Sequence, residues 1–378
     1  MVIPSSNFLL NAALVFIFFI WVKRVILISG FRRHNPPLPL VSSVSDAPKI
    51  TVIIPARNEE KNIPNCLYHF FKQNYPNFEI IVVDDRSTDR TPHLLENFQK
   101  LSPVPFKIIR IEKSPAGWTG KNYAVFTGSK AATGEWILFT DADTTHKPES
   151  LSSAISAALS QKIDFLTLAP ETECRSFWEK TVQPLAVSSL ALWFNTHRVN
   201  EEGEKVLANG QFILIKKDVY EKLDGNESVK NEVVEDVEFA KKARAVGYKV
   251  RFLNGTNLYG TRMYSTLMEI KTGWTRIFTY LFNKNIWSML HKIFLFLFFS
   301  CLPFFILFAS SGTTFWLALG VCAWIITIRF IGNKMVKTNP WYAFLHVLGS
   351  FVMIWILLAC VARVLFNRPS AWKGQLYK

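Results

Sequence analysis

Two aspartates one residue apart, Asp141 and Asp143, directly follow the apolar run 136–140. In an extended chain, residues i and i+2 point the same way, so both carboxylates can face one small volume at the end of a strand. Two charges that close repel, and one keeps its proton unless a cation lies nearby. A divalent ion shared with phosphate oxygens is the natural partner, because hard cations take oxygen ligands. The alternative interpretation is a turn whose aspartates merely end the strand.

Short β-branched and apolar runs alternate with helical stretches through the middle of the chain. We predict strands at 50–55, 78–83, 106–111, 136–140, 165–169 and 249–253, and a turn leading into a buried strand at 208–215. Helical stretches are predicted to end near residues 74, 100, 134 and 247. Strands that alternate with helices indicate a mostly parallel sheet, which makes this an α/β domain.

Polar clusters follow three of these strands, at 55–60, 84–89 and 141–143. Ligands of such sheets bind at the carboxyl ends of the strands. Asp85 is either a turn acid or a carboxylate that accepts from a nucleobase or ribose. Arg57 and Lys121, the latter at a glycine-flanked helix start, could hold a diphosphate, although each could instead be a solvated cation.

Glu235 and Asp236 begin the helix that ends near residue 247. Transfer to a hydroxyl requires a carboxylate that takes its proton, and Asp236 is the best candidate for this base. The competing interpretation is a solvated helix face, because Glu232 and Glu238 lie in the same cluster.

The charge distribution argues against nucleic acid and for a membrane. The chain is 49% hydrophobic, which favours membrane segments, and its formal charge is +14. All 29 acidic residues lie between Asp46 and Glu269, and 28 of the 43 Lys and Arg residues lie there too, so this window carries −1. The other 15 basic residues flank the apolar ends, as expected of membrane anchoring.

Apolar segments divide the chain into five regions. We predict a transmembrane anchor at 1–33, a linker at 34–48, the α/β domain at 49–264, an interfacial amphipathic region at 265–292 and a membrane region of two or three spans at 293–378. The basic residues that follow the first apolar run place the domain in the cytoplasm of a multi-pass cell-membrane protein. The apolar stretch 178–195 is predicted to be an interfacial or re-entrant element.

Six motifs in this order resemble those of membrane-bound family-two glycosyltransferases of GT-A fold. They are I-I-P-A-R-N-E-E (53–60), V-V-D-D-R-S-T-D (82–89), G-W-T-G-K (117–121), T-D-A-D (140–143), N-G-Q-F-I-L-I-K-K (209–217) and V-E-D-V-E (234–238). The chain resembles bacterial carotenoid-acid (diaponeurosporenoate-type) and hopanoid-associated members. The resemblance implies a bacterial, metal-dependent, inverting hexosyltransferase that moves glucose from a UDP-sugar to a lipid such as a carotenoid acid.

The resemblance also implies a role for each motif residue. Asp85 would contact uracil, and Asp143 with Asp141 would hold Mg²⁺ or Mn²⁺ on the diphosphate. Asp236, with Glu235 beside it, would supply the base. The remaining donor-site residues would help to hold UDP: Pro55, Ala56, Arg57, Glu59, Lys121 and Asp141. The acceptor side would include Gly210, Gln211, Trp274 and Arg276.

One motif departs from the family pattern. Gly273-Trp274-Thr275-Arg276-Ile277 stands where the family usually has Q-x-x-R-W near the interfacial helix. This argues against a processive polysaccharide synthase, which stays an alternative together with a membrane nucleotidyltransferase. The expected partners are a nucleotide-sugar, a lipid acceptor and the bilayer, without nucleic acid. The sequence does not indicate the oligomeric state.

Overall fold

A computed structural model of the chain describes residues 6–194, 198–201, 206–368, 370–372 and 375–377. The ends of the first and last predicted regions, residues 1–5 and 378, lie outside this part, as do 369, 373 and 374. The helices in chain order are α1 Ser6–His34, α2 Ile63–Phe70, α3 Thr91–Leu101, α4 Gly120–Lys130, α5 Ser150–Ser160, α6 Phe177–Trp193, α7 Lys217–Lys222, α8 Glu235–Ala245, α9 Leu267–Leu281, α10 Ile286–Phe296, α11 Leu302–Ala309, α12 Gly312–Met335 and α13 His346–Leu365.

The strands form two sheets and a terminal hairpin. They are β1 Ile50–Ala56, β2 Phe78–Asp85, β3 Phe106–Ile111, β4 Trp136–Thr140, β5 Thr144–His146, β6 Phe165–Ala169, β7 Glu171–Thr172, β8 Phe212–Lys216, β9 Val250–Asn254, β10 Tyr259–Thr261, β11 Ser370–Trp372 and β12 Gln375–Tyr377. The large sheet has the order β3-β2-β1-β4-β8-β6-β9, the small one β5-β10-β7, and β11 pairs with β12.

Six strands of the large sheet run in one direction, and β8 runs antiparallel to its neighbours β4 and β6. The predicted mixed, mostly parallel α/β sheet is therefore confirmed. Its strands are buried on both faces: Ile54 and Val82 pack on one side, Ile53 and Val83 on the other. Strands of a sheet that is covered on both faces have continuous apolar runs, and such runs allow the strands to be predicted from the sequence.

The predicted linker 34–48 lies against the domain. Leu38 is buried in the core beside β1 and donates its backbone N–H to the Asn254 carbonyl at 2.9 Å. The backbone N–H of Val41 donates to the Ser153 hydroxyl at 2.8 Å. These contacts join the end of α1 to the edge strand β9.

Four helical segments are long and apolar enough to cross a membrane: Asn7–Gly30, Ile286–Ala309, Gly312–Met335 and Pro340–Leu365. The second starts inside the region 265–292 that the sequence assigned to the interface. These apolar helices indicate a membrane-associated protein, and the number and direction of the crossings stay predictions.

Helices α6 and α9 pack against each other and against α13, which belongs to the membrane-type segment Pro340–Leu365. A Cβ atom at Gly349 of α13 would lie 2.5 Å from Leu185 Cδ1 and 2.9 Å from the Thr181 carbonyl oxygen, so glycine is what lets α13 approach α6 this closely. Glu179 of α6 is fully buried and accepts from Arg262 Nε at 2.8 Å and Nη2 at 3.1 Å. This pair fixes α6 to the small sheet.

Candidate functional site

The loops that follow β1 and β2 are bonded to each other. The Asn58 side chain accepts from the backbone N–H of Thr88 at 2.8 Å, and the Asn58 N–H donates to the Ser87 hydroxyl at 3.0 Å. Asn58 and Arg86 adopt left-handed backbone conformations, with φ of 52° and 56°. The two strand ends are therefore held in one fixed arrangement.

Asp85 is buried at the end of β2 and its two oxygens meet two arginines. Arg57 Nη1 lies 3.4 Å from Asp85 Oδ2, and Arg86 Nε lies 2.8 Å from Oδ1. Ala56 is buried directly before Arg57, and Glu59 accepts from the Asn62 side chain at 2.8 Å inside the loop. Of the sequence-predicted residues of this loop, Arg57 contacts Asp85, whereas Glu59 bonds to Asn62 just before α2.

Asp141 forms a turn through its backbone and an ion pair through its side chain. Its carbonyl accepts from the Thr144 hydroxyl at 2.7 Å, while Oδ1 lies 2.8 Å from Lys121 Nζ. Asp141 therefore forms the turn that ends the strand, and its carboxylate faces the Lys121 ammonium; the metal interpretation of the acid pair stays a prediction. Burial raises the pKa of the Cys66 thiol, and the charges of Asp143, Glu59 and Asp141 add to this rise; Cys66 Sγ lies 3.8 Å from the Asp141 carbonyl oxygen.

Lys121 links the acids after β4 to those of α8. Its Nζ lies 3.4 Å from Glu235 Oε1 in addition to its contact with Asp141. Burial lowers the pKa of the Lys121 ammonium, but the charges of Asp141, Glu235 and Asp236 raise it further, so its net pKa is well above the usual range. Lys121 therefore stays cationic among three carboxylates.

Asp236 is held by backbone donors at the start of α8. Gly210 N–H donates to Oδ2 at 2.7 Å, and Val237 N–H donates to Oδ1 at 2.8 Å. Burial is the largest effect on its carboxyl and, with the charge of Glu235, raises the pKa to about 7, although Lys121 and the two N–H donors act in the opposite direction. A carboxylate with a pKa near neutrality is suited to general base catalysis.

Gly210 is placed where a side chain would disturb this cluster. A Cβ atom there would lie 3.1 Å from Lys121 Nζ and 3.4 Å from Asp236 Oδ2. The neighbouring Gln211 is buried and donates to the Thr261 hydroxyl at 3.0 Å. The turn before β8 thus delivers a backbone donor, rather than a side chain, to Asp236.

A cavity of about 360 Å³ extends from these carboxylates to the helices α6 and α9. Its polar end is formed by Lys121, Asp141, Gly210, Gln211, Glu235 and Asp236. Its apolar wall includes Val187, Leu190, Trp274, Ile277 and Leu281. A largely apolar cavity with a few polar groups at one end is typical of a ligand site.

Trp274 and Arg276 of α9 both line this cavity. The buried Trp274 indole donates from Nε1 to Gln183 Oε1 of α6 at 2.6 Å. Burial raises the pKa of Tyr264 to about 12; the charge of Arg276 opposes this rise and the charge of Asp143 adds to it.

Sequence reasoning did not identify Gln183, nor the α6 residues of the cavity wall. The stretch 178–195 was assigned to the membrane interface by its apolar character alone. The hydrogen bond between Gln183 of α6 and Trp274 of α9 joins residues 91 positions apart. A local sequence pattern does not predict a contact over that distance. The cavity includes neither Asp85 nor Asp143 among its lining residues, although both lie at neighbouring strand ends.

The residues of the sheet match a known enzyme family. The sequence model described as Glycosyl transferase family 2 matches residues 51–224. The chain is 26% identical over 262 residues to the 4,4'-diaponeurosporenoate glycosyltransferase of Staphylococcus haemolyticus, covering 66% of this chain and 67% of that protein. It is also 26% identical over 238 residues to the enzyme of the same name from Staphylococcus aureus, covering 60% of each chain.

The fold also matches a solved structure. Mannosyltransferase PcManGT from Pyrobaculum calidifontis, in complex with GDP-Man and Mn²⁺, superposes with a TM-score of 0.54 at 16% identity, covering 95% of this chain and 99% of that one. This likeness shows a shared GT-A architecture. Residues 51–224 are therefore similar to the glycosyl transferase family 2 domain, the sheet has a GT-A fold joined to apolar, membrane-type helices, and the chain is similar to the diaponeurosporenoate glycosyltransferases.

Proposed function

We propose that this chain transfers a sugar, with inversion, from a UDP-sugar to an amphipathic lipid acceptor. The observation that carries the proposal is the cavity between the Asp236 carboxylate and the apolar wall of α6 and α9. A soluble acceptor needs no such wall, whereas a lipid tail gains free energy from burial against it. Glucose is the first sugar to test.

The donor would bind at the carboxyl ends of β1, β2 and β4. Asp85 would accept from uracil, with Pro55, Ala56 and Arg57 forming the turn beneath the nucleotide. Lys121 would contact the diphosphate from the start of α4. This arrangement follows the general position of ligands in open α/β sheets. Glu59 would act by supporting the loop, given its contact with Asn62.

Asp143 and Asp141 fit a divalent ion that is shared with the donor. Among the residues that the structure describes, no group of three or more His, Cys, Asp or Glu side chains could hold an ion by itself. Mg²⁺ is usually bound by one or two carboxylates together with substrate phosphates and water. Asp143 would be the first ligand and Asp141 the second, and the bound Mg²⁺ or Mn²⁺ would neutralise charge on the departing diphosphate.

Asp236 would take the proton of the acceptor hydroxyl or acid as that group attacks the sugar carbon. The N–H groups of Gly210 and Val237 fix the orientation of its carboxylate. Glu235 would hold the ammonium of Lys121 beside it. Attack on the face opposite the diphosphate inverts the configuration, and much of the rate would come from holding donor and acceptor in this geometry.

The acceptor would lie with its tail against Trp274 and its polar head near Gln211 and Gly210. Arg276 lines the same cavity, and a guanidinium is well suited to a carboxylate. A carotenoid acid combines a long apolar body with such a head, and the staphylococcal relatives are named for an acceptor of this kind. A carotenoid acid is therefore the first acceptor to test.

The membrane arrangement is part of the proposal. With α1 crossing once, the basic residues Lys23, Arg24 and Arg33 would place the catalytic domain in the cytoplasm of a bacterial cell. Protease treatment of sealed inside-out and right-side-out vesicles tests this arrangement. Cleavage of the catalytic domain only in inside-out vesicles is expected, and the reverse pattern would contradict it.

Product analysis tests the function. Membranes that contain the chain would be incubated with a panel of UDP-sugars and GDP-mannose, and the lipid fraction analysed by mass spectrometry. We expect one glycosylated lipid, release of UDP, and loss of the product in Asp236→Asn. Glu238→Gln on the same helix, a residue paired with Lys241, is the matched control and should keep activity. Release of pyrophosphate would indicate a nucleotidyltransferase instead, and a long polymer would indicate a processive synthase.

A further inference from the structure

Three basic side chains and one amide meet inside the membrane-type helices, far from the sugar-transfer site in sequence. They are Arg24 of α1, Arg329 and Asn333 of α12, and His346, the first residue of α13; together we call them the buried cationic cluster. Arg329 is 6% exposed, Asn333 0% and His346 1%. The Arg24 guanidinium lies 4.7 Å above the Trp21 ring, and the His346 ring lies 5.7 Å from the same indole.

Several polar atoms of the buried cationic cluster have no hydrogen-bond partner among the described residues. They are Arg329 Nε, both amide atoms of Asn333 and both ring nitrogens of His346. Helix α12 packs against α1 and against residues 340–345, which directly precede His346, and the charges of Arg329 and Arg24 both act on His346. The groups therefore share one neighbourhood. Buried polar groups in folded proteins nearly always have partners, and a set of unpaired donors therefore points to a missing one.

The helices themselves cannot neutralise this positive charge. The chain has no Asp or Glu before Asp46 or after Glu269, so α1, α12 and α13 contain no acid. Ionisable side chains within membrane segments are rare and commonly mark a functional site. An anion that satisfies the buried cationic cluster would therefore come from outside these helices.

The cluster lies toward the end of the helices that faces the catalytic domain. Lys337, just after α12, pairs with Glu171 of β7 at 2.5 Å, and Tyr342 contacts Phe177 of α6 with ring centroids 5.7 Å apart. Arg329 lies six residues before the end of α12, which is about 9 Å along the helix axis. This depth is close to the boundary between headgroups and hydrocarbon.

We propose that the buried cationic cluster binds the phosphate of an anionic phospholipid from the leaflet next to the catalytic domain. Guanidinium groups pair well with phosphate because their N–H donors match its oxygens. The Asn333 amide and a His346 ring N–H add further donors. Basic pockets between membrane helices are known to hold anionic headgroups in this way. The site is independent of the sugar-transfer proposal, since none of its residues contacts the cavity of the catalytic domain.

The test uses the full chain, purified in a neutral detergent, and lipids with identical tails. Phosphatidylglycerol, phosphatidylcholine and inorganic phosphate would be added separately, with binding measured by native mass spectrometry and by the thermal unfolding temperature. We expect phosphatidylglycerol to bind and to raise the unfolding temperature, while phosphatidylcholine and inorganic phosphate have little effect. Arg329→Gln should weaken phosphatidylglycerol binding about tenfold or more, as expected for loss of a charge-assisted hydrogen bond.

Lys334→Gln is the matched control, because Lys334 is exposed on the same helix and the charge change is the same. It should alter binding less than about twofold, as expected for a solvent-screened charge. Equal loss in Lys334→Gln and Arg329→Gln would overturn the proposal in favour of diffuse surface charge. Equal binding of phosphatidylcholine, or a full response to inorganic phosphate, would also overturn it.

A second variant covers the case in which Arg329→Gln does not fold. Asn333→Leu keeps every charge and fills a buried position with an apolar side chain of similar size. We expect it to weaken phosphatidylglycerol binding severalfold while the protein stays folded. Unchanged binding in Asn333→Leu would reject the site.

Discussion

The pH profile of sugar transfer tests the role of Asp236 most directly. Burial and the charge of Glu235 raise the pKa of this carboxyl to about 7. A general base acts only when ionised, so kcat/KM should rise with pH and reach a plateau above the pKa of the free enzyme. The rate should be roughly half the plateau at pH 7 and roughly a tenth of it at pH 6.

Two neighbours of Asp236 should move the midpoint of the pH profile in opposite directions when they are substituted. Glu235 raises the pKa of Asp236, so Glu235→Gln should move the midpoint of the profile to lower pH. Lys121 lowers the same pKa, so Lys121→Met should move the midpoint to higher pH. Each midpoint should move by about one pH unit. This is the low end of the pKa shift that a charge within about 4–6 Å causes, because the side chains of Lys121 and Glu235 are partly exposed.

The assay is transfer of labelled sugar at donor and acceptor concentrations below their KM, between pH 5.5 and 9, with stability checked at each pH. Lys121→Met will also lower the plateau if Lys121 contacts the donor, but the position of the midpoint reports Asp236 alone. Asp236→Asn should reduce the rate about 10²–10⁴-fold and abolish the midpoint. Glu238→Gln should keep the native profile.

Displacement of both midpoints in the same direction would refute the electrostatic reasoning. A native midpoint in Asp236→Asn would refute the assignment of the base itself. Either result would return Glu235 and Asp236 to the alternative of a solvated helix start.

Three further predictions concern stability and metal binding. Gln183→Leu removes the acceptor of the Trp274 indole and should lower the free energy of unfolding by about 1–3 kcal/mol, measured by thermal unfolding, with UDP binding unchanged. Arg262→Gln removes the ion-pair partner of the buried Glu179 carboxylate and should lower the free energy of unfolding by about 3 kcal/mol at pH 7. Burial raises the pKa of Glu179, but hydrogen bonds from Arg262 and from the helix start lower it further, to about 2. The stabilisation by the Glu179–Arg262 pair is therefore present above the ordinary glutamate pKa and is lost as pH falls toward 2. The free energies of unfolding of the variant and the native chain should converge at that pH. Asp143→Ala should remove most of the Mn²⁺ dependence of UDP binding in calorimetry, and an unchanged Mn²⁺ dependence would contradict the assignment of the metal ligand.

The positions of the polar clusters could be predicted because they depend on local sequence. Strands β3 and β4 begin and end at the predicted residues 106–111 and 136–140. β4 is a continuous buried run, whereas β3 is an apolar run interrupted by Lys107 and Arg110. The carboxyl ends of parallel strands share one edge of a sheet, so the sequence alone predicts that the acids at those ends lie close together.

Strand direction and short strands could not be predicted in the same way. An apolar strand such as β8 has no local feature that makes it antiparallel to β4 and β6. The three residues of β5 and the two of β7 are too few for any periodic pattern. Their pairing with β10 depends on contacts between residues about a hundred positions apart.

The acceptor side depends on packing between helices rather than on motifs. Trp274 was identified as a candidate from its place in the sequence, but its partner Gln183 lies in a segment that sequence alone assigned to the membrane interface. The cavity is lined by residues of both α6 and α9, and this buried pair joins the two helices. In the proposed function, the residues that bind the donor belong to short motifs at strand ends, whereas the choice of acceptor depends on how α6 and α9 pack. Relatives that keep every motif can therefore differ in acceptor, and the contact between Gln183 and Trp274 is where such a difference should first be sought.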